Sequence, residues 1–250
     1  MKKNLTLLKL TGIIFLSTSA LLSYTAKAVT DWSGEGIINF TEDTSIPPVT
    51  PPGTTEPEIT EPPVNTDPAP LKVLSVSNLD FDSHVLMTDD SNKVFPAKAF
   101  VAAIADENGD PTEELITMPN FIRFQDKRGN VDEHFYQIST KITKEFTNGN
   151  NRIVAASLDY SNAMLVSGTN NATIPSQNVL STSFEVTLED SVEVLNNQEP
   201  GKGFGMFEII FGEIDNGTAD SSVNLKVPGE NILRVGDYVG EVTWYITDAR

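Results

Sequence analysis

The chain has 250 residues, no cysteine, and 17 basic against 35 acidic side chains, for a formal net charge of −18. The missing cysteines exclude a disulfide framework, a thiol nucleophile, a Cys-based zinc site and a lipidated N-terminal cysteine. The acidic balance argues against nucleic acid, whose phosphates call for Lys and Arg clusters, and against any anionic surface not bridged by divalent cations.

Lys2 and Lys3, the apolar stretch Leu10 to Leu22 and the triplet Ala26-Lys27-Ala28 read as a secretory signal peptide, residues 1–28, cut after Ala28. The apolar stretch is short of the roughly 20 residues a membrane span needs, and no later stretch is apolar enough, so no membrane insertion is expected. The four lysines before Val29 leave with the signal, and 13 basic against 35 acidic residues remain, a net −22. Thr247 to Arg250 carries no apolar tail with a basic end, so a covalent wall-sorting signal is not expected.

Residues 29–40 hold a candidate strand in which Gly34, Gly36, Ile38 and Phe40 form one side by period 2. A lone strand leaves its ladder groups unpaired, so this one is expected to fold back onto its own domain or, alternatively, to add to a partner's sheet edge. Residues 41–70 hold nine of the fifteen prolines, among Thr, Glu and Asp. That composition predicts an extended spacer, able to reach about 90 Å at about 3.1 Å per residue.

From Leu71 to Arg250 the texture is that of an all-β domain. Alternating runs recur at Leu71 to Val76, Leu79 to Phe81, Ala99 to Ile104, Phe121 to Phe124, Phe135 to Ile142 and Arg152 to Leu158. They continue at Val179 to Leu188, Phe204 to Phe211, Val223 to Val227 and Tyr238 to Thr247. Turn residues separate them, as in Glu107-Asn108-Gly109-Asp110 and Asn148-Gly149-Asn150. Many short strands at this spacing predict an antiparallel β-sandwich, immunoglobulin-like or related.

Catalytic constellations do not assemble. His84 and His134 lie far apart, with no metal-ligand spacing, and there is no nucleophile elbow or phosphate-binding glycine loop. Asp106-Glu107-Asn108-Gly109-Asp110 starts like a calcium loop, but Pro111 stands where the turn glycine belongs and Thr117 where the bidentate glutamate belongs. Neither a cofactor, a metal nor an enzymatic activity is expected.

Several pieces, in order, resemble the WxL-domain surface proteins of Gram-positive bacteria. They are Ser33-Gly34-x-Gly36-x-Ile38-x-Phe40 ahead of the Pro-rich segment, Leu74 to Phe81, and Phe121 to Gly129 ending in Asp126-Lys127-Arg128-Gly129. The last is Tyr238-x-Gly240-x-Val242-Thr243-Trp244-Tyr245-Ile246-Thr247-Asp248-Ala249. Of the two Trp-x-Leu motifs that name the family, the distal one here is Trp244-Tyr245-Ile246. The proximal one falls at Tyr136-Gln137-Ile138, without tryptophan.

The resemblance implies a protein retained noncovalently at the cell wall surface, with peptidoglycan and a membrane-anchored WxL-interacting protein as partners. A structural assembly subunit, or an adhesin for host matrix proteins, is the alternative. Trp244 and Ile246 share a strand face, as do Tyr136 and Ile138. These four are the candidate binding residues. Sugar stacking on Trp244 competes with a packing role in which the two motifs meet in the core, and the company of Val242 and Ile246 favours packing.

Overall fold

The structure, a computed structural model, describes residues 35–250 except 42, 44, 88 and 169–171. The signal peptide and Gly34 lie outside the described residues. The chain divides into residues 1–40 and a second compact unit, residues 41–250. In the first, Glu35 to Phe40 form no strand, and Ile37, Ile38 and Phe40 are exposed.

The second unit is all-β. Its strands are β1 (Leu71–Val76), β2 (Lys93–Pro96), β3 (Phe100–Ala105), β4 (Pro111–Met118), β5 (Asn120–Asp126), β6 (Tyr136–Asn148) and β7 (Asn151–Arg152). They continue with β8 (Ser157–Tyr160), β9 (Ala163–Val166), β10 (Phe184–Val186), β11 (Val192–Asn197), β12 (Gly205–Phe211), β13 (Val223–Val227) and β14 (Val239–Asp248). One 3-10 turn covers Gln177–Val179. The sheets run β1-β5-β12-β9, β10-β8-β13-β2 and β11-β6-β14, with β3-β4 as a separate hairpin, and the strand pairs are antiparallel.

Alternation decides how these sheets stack. Ile122 and Phe124 of β5 and Phe207, Ile209 and Phe211 of β12 point into one core. Leu158 and Tyr160 of β8, Val223 and Leu225 of β13, and Tyr136, Ile138 and Trp244 from β6 and β14 meet them there. This is a sandwich-like arrangement closed by side chains from three sheets.

The other face of β5-β12-β9 is buried too. Phe121, Ile210, Met164 and Val166 pack beneath Val49 and Ile59 of the Pro-rich segment and Phe100, Ala102 and Met118 of the hairpin. The Pro-rich segment runs as a strap along the domain. Ile59 bridges Ile104, the Thr60 amide donates to Ala103 O at 3.1 Å, and the Ala105 amide donates to Glu58 O at 2.9 Å. The Asn65 amide reaches Leu74 O at 2.7 Å. Proline-rich composition does give extended backbone, but Val49 and Ile59, with Val64 beside them, cover a sheet face that would otherwise meet water.

A buried ion pair sits under the strap. Arg123 Nε donates to Glu208 Oε1 at 2.9 Å, and both side chains are out of solvent. Arg123 Nη2 donates to Thr50 O at 2.6 Å and Nη1 to Pro48 O at 3.4 Å. Burial pushes the Glu208 carboxyl up and the Arg123 guanidinium down, and each group's charge opposes the other's shift.

The segment resembling a calcium loop is the β3-β4 turn. Asp106 Oδ1 accepts the amides of Asn108 at 2.8 Å and Asp110 at 2.9 Å, and Gly109 takes φ +84°. The carboxylate serves the turn backbone.

Candidate functional site: the paired motif strands

β6 and β14 lie side by side, with Ile138 opposite Ile246, Thr140 opposite Trp244 and Tyr136 opposite Asp248. The two motifs therefore come together, and their named positions all turn inward. Tyr136 and Ile138 are fully buried, Trp244 is 7 % exposed, and Ile246 is half-buried against the same core.

Trp244 sits in an aromatic cage. Its ring centroid is 5.8 Å from Tyr160 at 88°, 6.2 Å from Phe184 at 84° and 6.0 Å from Phe211 at 34°. These are edge-to-face and tilted contacts of the kind aromatic quadrupoles favour. With those neighbours in place, little of the indole is open to solvent.

Burial leaves two polar atoms of this cluster bare. Among the described residues, neither the Tyr136 hydroxyl nor Trp244 Nε1 has a hydrogen-bond partner. Burial pushes the Tyr136 phenol up, with the nearby Asp126 charge adding to it, and burial alone does the same to Tyr160. An unfolded tyrosine ionises near pH 10. Both groups therefore contribute stability that is fully present below about pH 10 and lost above it, at about 1.4 kcal/mol per pH unit for each. Thermal melts should show a steep fall above that pH, shallower in Tyr136→Phe, which should itself be neutral or slightly stabilising at pH 7. An unchanged slope in Tyr136→Phe and Tyr160→Phe would contradict this.

The Asp126-Lys127-Arg128-Gly129 turn fastens the far end of the pair. Arg128 grips Asp126 through Nε at 2.9 Å and Nη2 at 2.6 Å, donates from Nη2 to Phe135 O at 3.1 Å, and sets Nη1 2.9 Å from Asp248 at the end of β14. His134 Nδ1 stands 3.1 Å from Asp126. The Asp126 carboxylate is wholly buried, so this fork of charge-assisted bonds is what makes its burial tolerable.

The outward side chains of the same strands form a different surface. Tyr245 is 42 % exposed and lies opposite Ser139, with Thr243 opposite Lys141 and Thr247 opposite Gln137. Thr143 and Thr243 share a hydrogen bond at 2.8 Å, and Gln137 bonds Glu193 of β11. The result is a band of hydroxyl, amide and charged side chains, Lys141 and Glu193 among them, around one exposed ring. Sequence reasoning passed over Tyr245, although period-2 alternation already sets it opposite to Trp244 and Ile246.

Among the described residues no group of three or more His, Asp or Glu side chains is placed to hold a metal ion, and no helix is long and apolar enough to cross a membrane. A family model described as "WxL domain surface cell wall-binding" matches residues 27–249. Neither a curated protein nor a solved structure matches the chain.

Proposed function

We propose a function from one premise: the chain belongs to the WxL family of surface cell wall-binding domains. It is exported by its N-terminal signal peptide and held noncovalently on the wall, with peptidoglycan glycan as the ligand of the outer β6-β14 face. The observation that carries this reading is the orientation of Tyr245, exposed in a band of Thr243, Thr247, Ser139 and Gln137, while the residues that name the family are inside.

An amino-sugar ring presents C–H groups on its face and hydroxyl and amide groups around its edge. A phenol ring takes the first, and Thr, Ser and Gln side chains donate to and accept from the second. With a mature net charge of −22, attraction to anionic wall polymers contributes nothing, so retention should survive moderate salt.

Tyr245→Ala tests this. Its melting should stay within about 0.5 kcal/mol of the parent, as for a surface substitution. Its retention on purified peptidoglycan should fall about tenfold, near 1.4 kcal/mol. Undiminished retention, or capture only by a surface-protein extract and not by the purified glycan, would overturn the assignment.

A further inference from the structure

The proposed wall ligand is more than its sugars. A muramyl sugar carries a lactyl arm and, on it, a short stem peptide with one diamino acid, whose aliphatic side chain ends in an ammonium group. The face around Tyr245 has hydroxyls and amides for the sugar, and the peptide calls for a second site within reach of it.

Such a site opens along β6. β11 pairs with β6 only from Tyr136 to Thr140. Beyond that point the Ile142 amide donates to Thr187 O at 3.0 Å, and the Ile153 amide donates to Phe146 O at 2.9 Å. On its other edge β6 slips register against β14 on either side of Glu241. Bulges of this kind bend a strand and re-aim its side chains. Between the two bonds a pocket of about 370 Å³ opens.

Its floor is Ile142, Phe146 and Ile153, all buried, and its lips are Val154 and Leu188, 44 % and 39 % exposed. Its charged lining residues are Glu145 and Glu189, with no Lys or Arg among them. Glu145 shares its carboxylate with Arg152 at 3.3 Å, an exposed pair that contributes little. Lys141 donates to the Glu189 backbone carbonyl at 2.8 Å, and the Glu189 carboxylate is in no ion pair among the described residues. An apolar well whose charged lining is two carboxylates suits a methylene chain that ends in a cation.

The spacing suits a single ligand. Ser139 lies opposite Tyr245, and Glu145 is six residues farther along β6, about 20 Å at the usual strand rise. The diamino acid is the third residue of a stem, and three extended residues span about 11 Å. The lactyl arm at one end and the aliphatic side chain at the other cover the rest.

We infer that this pocket, with the wall reading of the Tyr245 face as its premise, receives the diamino acid side chain of the stem peptide. Its methylenes lie on Ile142, Phe146 and Ile153, and its ammonium meets Glu145 and Glu189.

The test uses the chain from Val29 and soluble probes: the peptidoglycan disaccharide, the disaccharide with its stem peptide, and the free stem peptide, each peptide with its side-chain amine free or acetylated. The free amine should tighten binding of the disaccharide-peptide about tenfold over the acetylated form. In the Glu145→Gln, Glu189→Gln double variant that advantage should vanish, with disaccharide binding and melting unchanged, since neither carboxylate sits in the core. Tyr245→Ala should do the reverse, weakening the disaccharide while the free peptide keeps its preference for the free amine. Equal binding of the free and acetylated amines, or an advantage that survives the double substitution, would overturn the pocket assignment while the sugar reading stands. A stem peptide that binds through its amine where the disaccharide does not bind would support the pocket and overturn the sugar reading instead.

Discussion

Trp244→Ala is expected to cost about 3–5 kcal/mol, the range for truncating a large buried aromatic. The indole fills the space between Tyr160, Phe184 and Phe211, and those three rings come from three different strands or loops of the shared core. The cavity left behind cannot collapse without moving β8, β10 and β12 together. Trp244→Phe should keep most of the stability and all of the wall retention, because it removes volume but no external contact. Denaturant melts on both variants check this. A Trp244→Ala chain that melts like the parent yet no longer binds wall would show that the indole, not Tyr245, meets the ligand.

Arg123→Met should be equally severe, about 3–5 kcal/mol, because it strands the Glu208 carboxylate in a dry site. It also removes the donor that satisfies Thr50 O and reaches Pro48 O, so the strap loses a main fastening. The expected result is a lowered denaturant midpoint together with early proteolytic cutting between Thr41 and Pro70. Arg123→Met combined with Glu208→Leu should recover most of the loss, since an apolar pair fills the site without a bare charge. A single variant within about 1 kcal/mol of the parent, with the strap still protected, would show that Val49, Ile59 and the backbone bonds to Ala103, Ala105 and Leu74 hold the strap without Arg123.

That pair was legible in principle. Phe121-Ile122-Arg123-Phe124 and Phe207-Glu208-Ile209-Ile210-Phe211 each set one charge inside an otherwise apolar run, of opposite sign. A strand apolar on both faces is buried on both, and a charge inside it needs a partner. Reading the Pro-rich segment by composition alone hid the cover for that second face. Proline density predicts extended backbone, and says nothing of whether Val49 and Ile59 find a surface.

Strand recognition failed where alternation was missing. β9 is Ala163-Met164-Leu165-Val166, apolar at every position because both faces are covered. β4 is nearly all exposed, a hairpin edge with Glu113 and Glu114 in it, and so reads as loop. β11 carries a register shift between Glu193 and Leu195 that breaks the period. Leu79 to Phe81 alternates well but forms no strand, with the Asp80 carbonyl taken by the Lys98 amide. Period 2 set Trp244 with Ile246, and Tyr136 with Ile138, on single strand faces; that β6 pairs with β14, so that Ile246 lies opposite Ile138, is not in the alternation. What alternation also dictated was the opposite orientation of Tyr245.

The most direct test is a titration of the isotope-labelled chain with soluble disaccharide fragments of peptidoglycan, read through backbone amide shifts. Inward packing with outward binding predicts that shifts gather at Gln137, Ser139, Thr243, Tyr245 and Thr247, while Tyr160, Phe184 and Phe211 stay still. Shifts centred on those three core aromatics, or none on the outer β6-β14 face at saturating fragment, would contradict it.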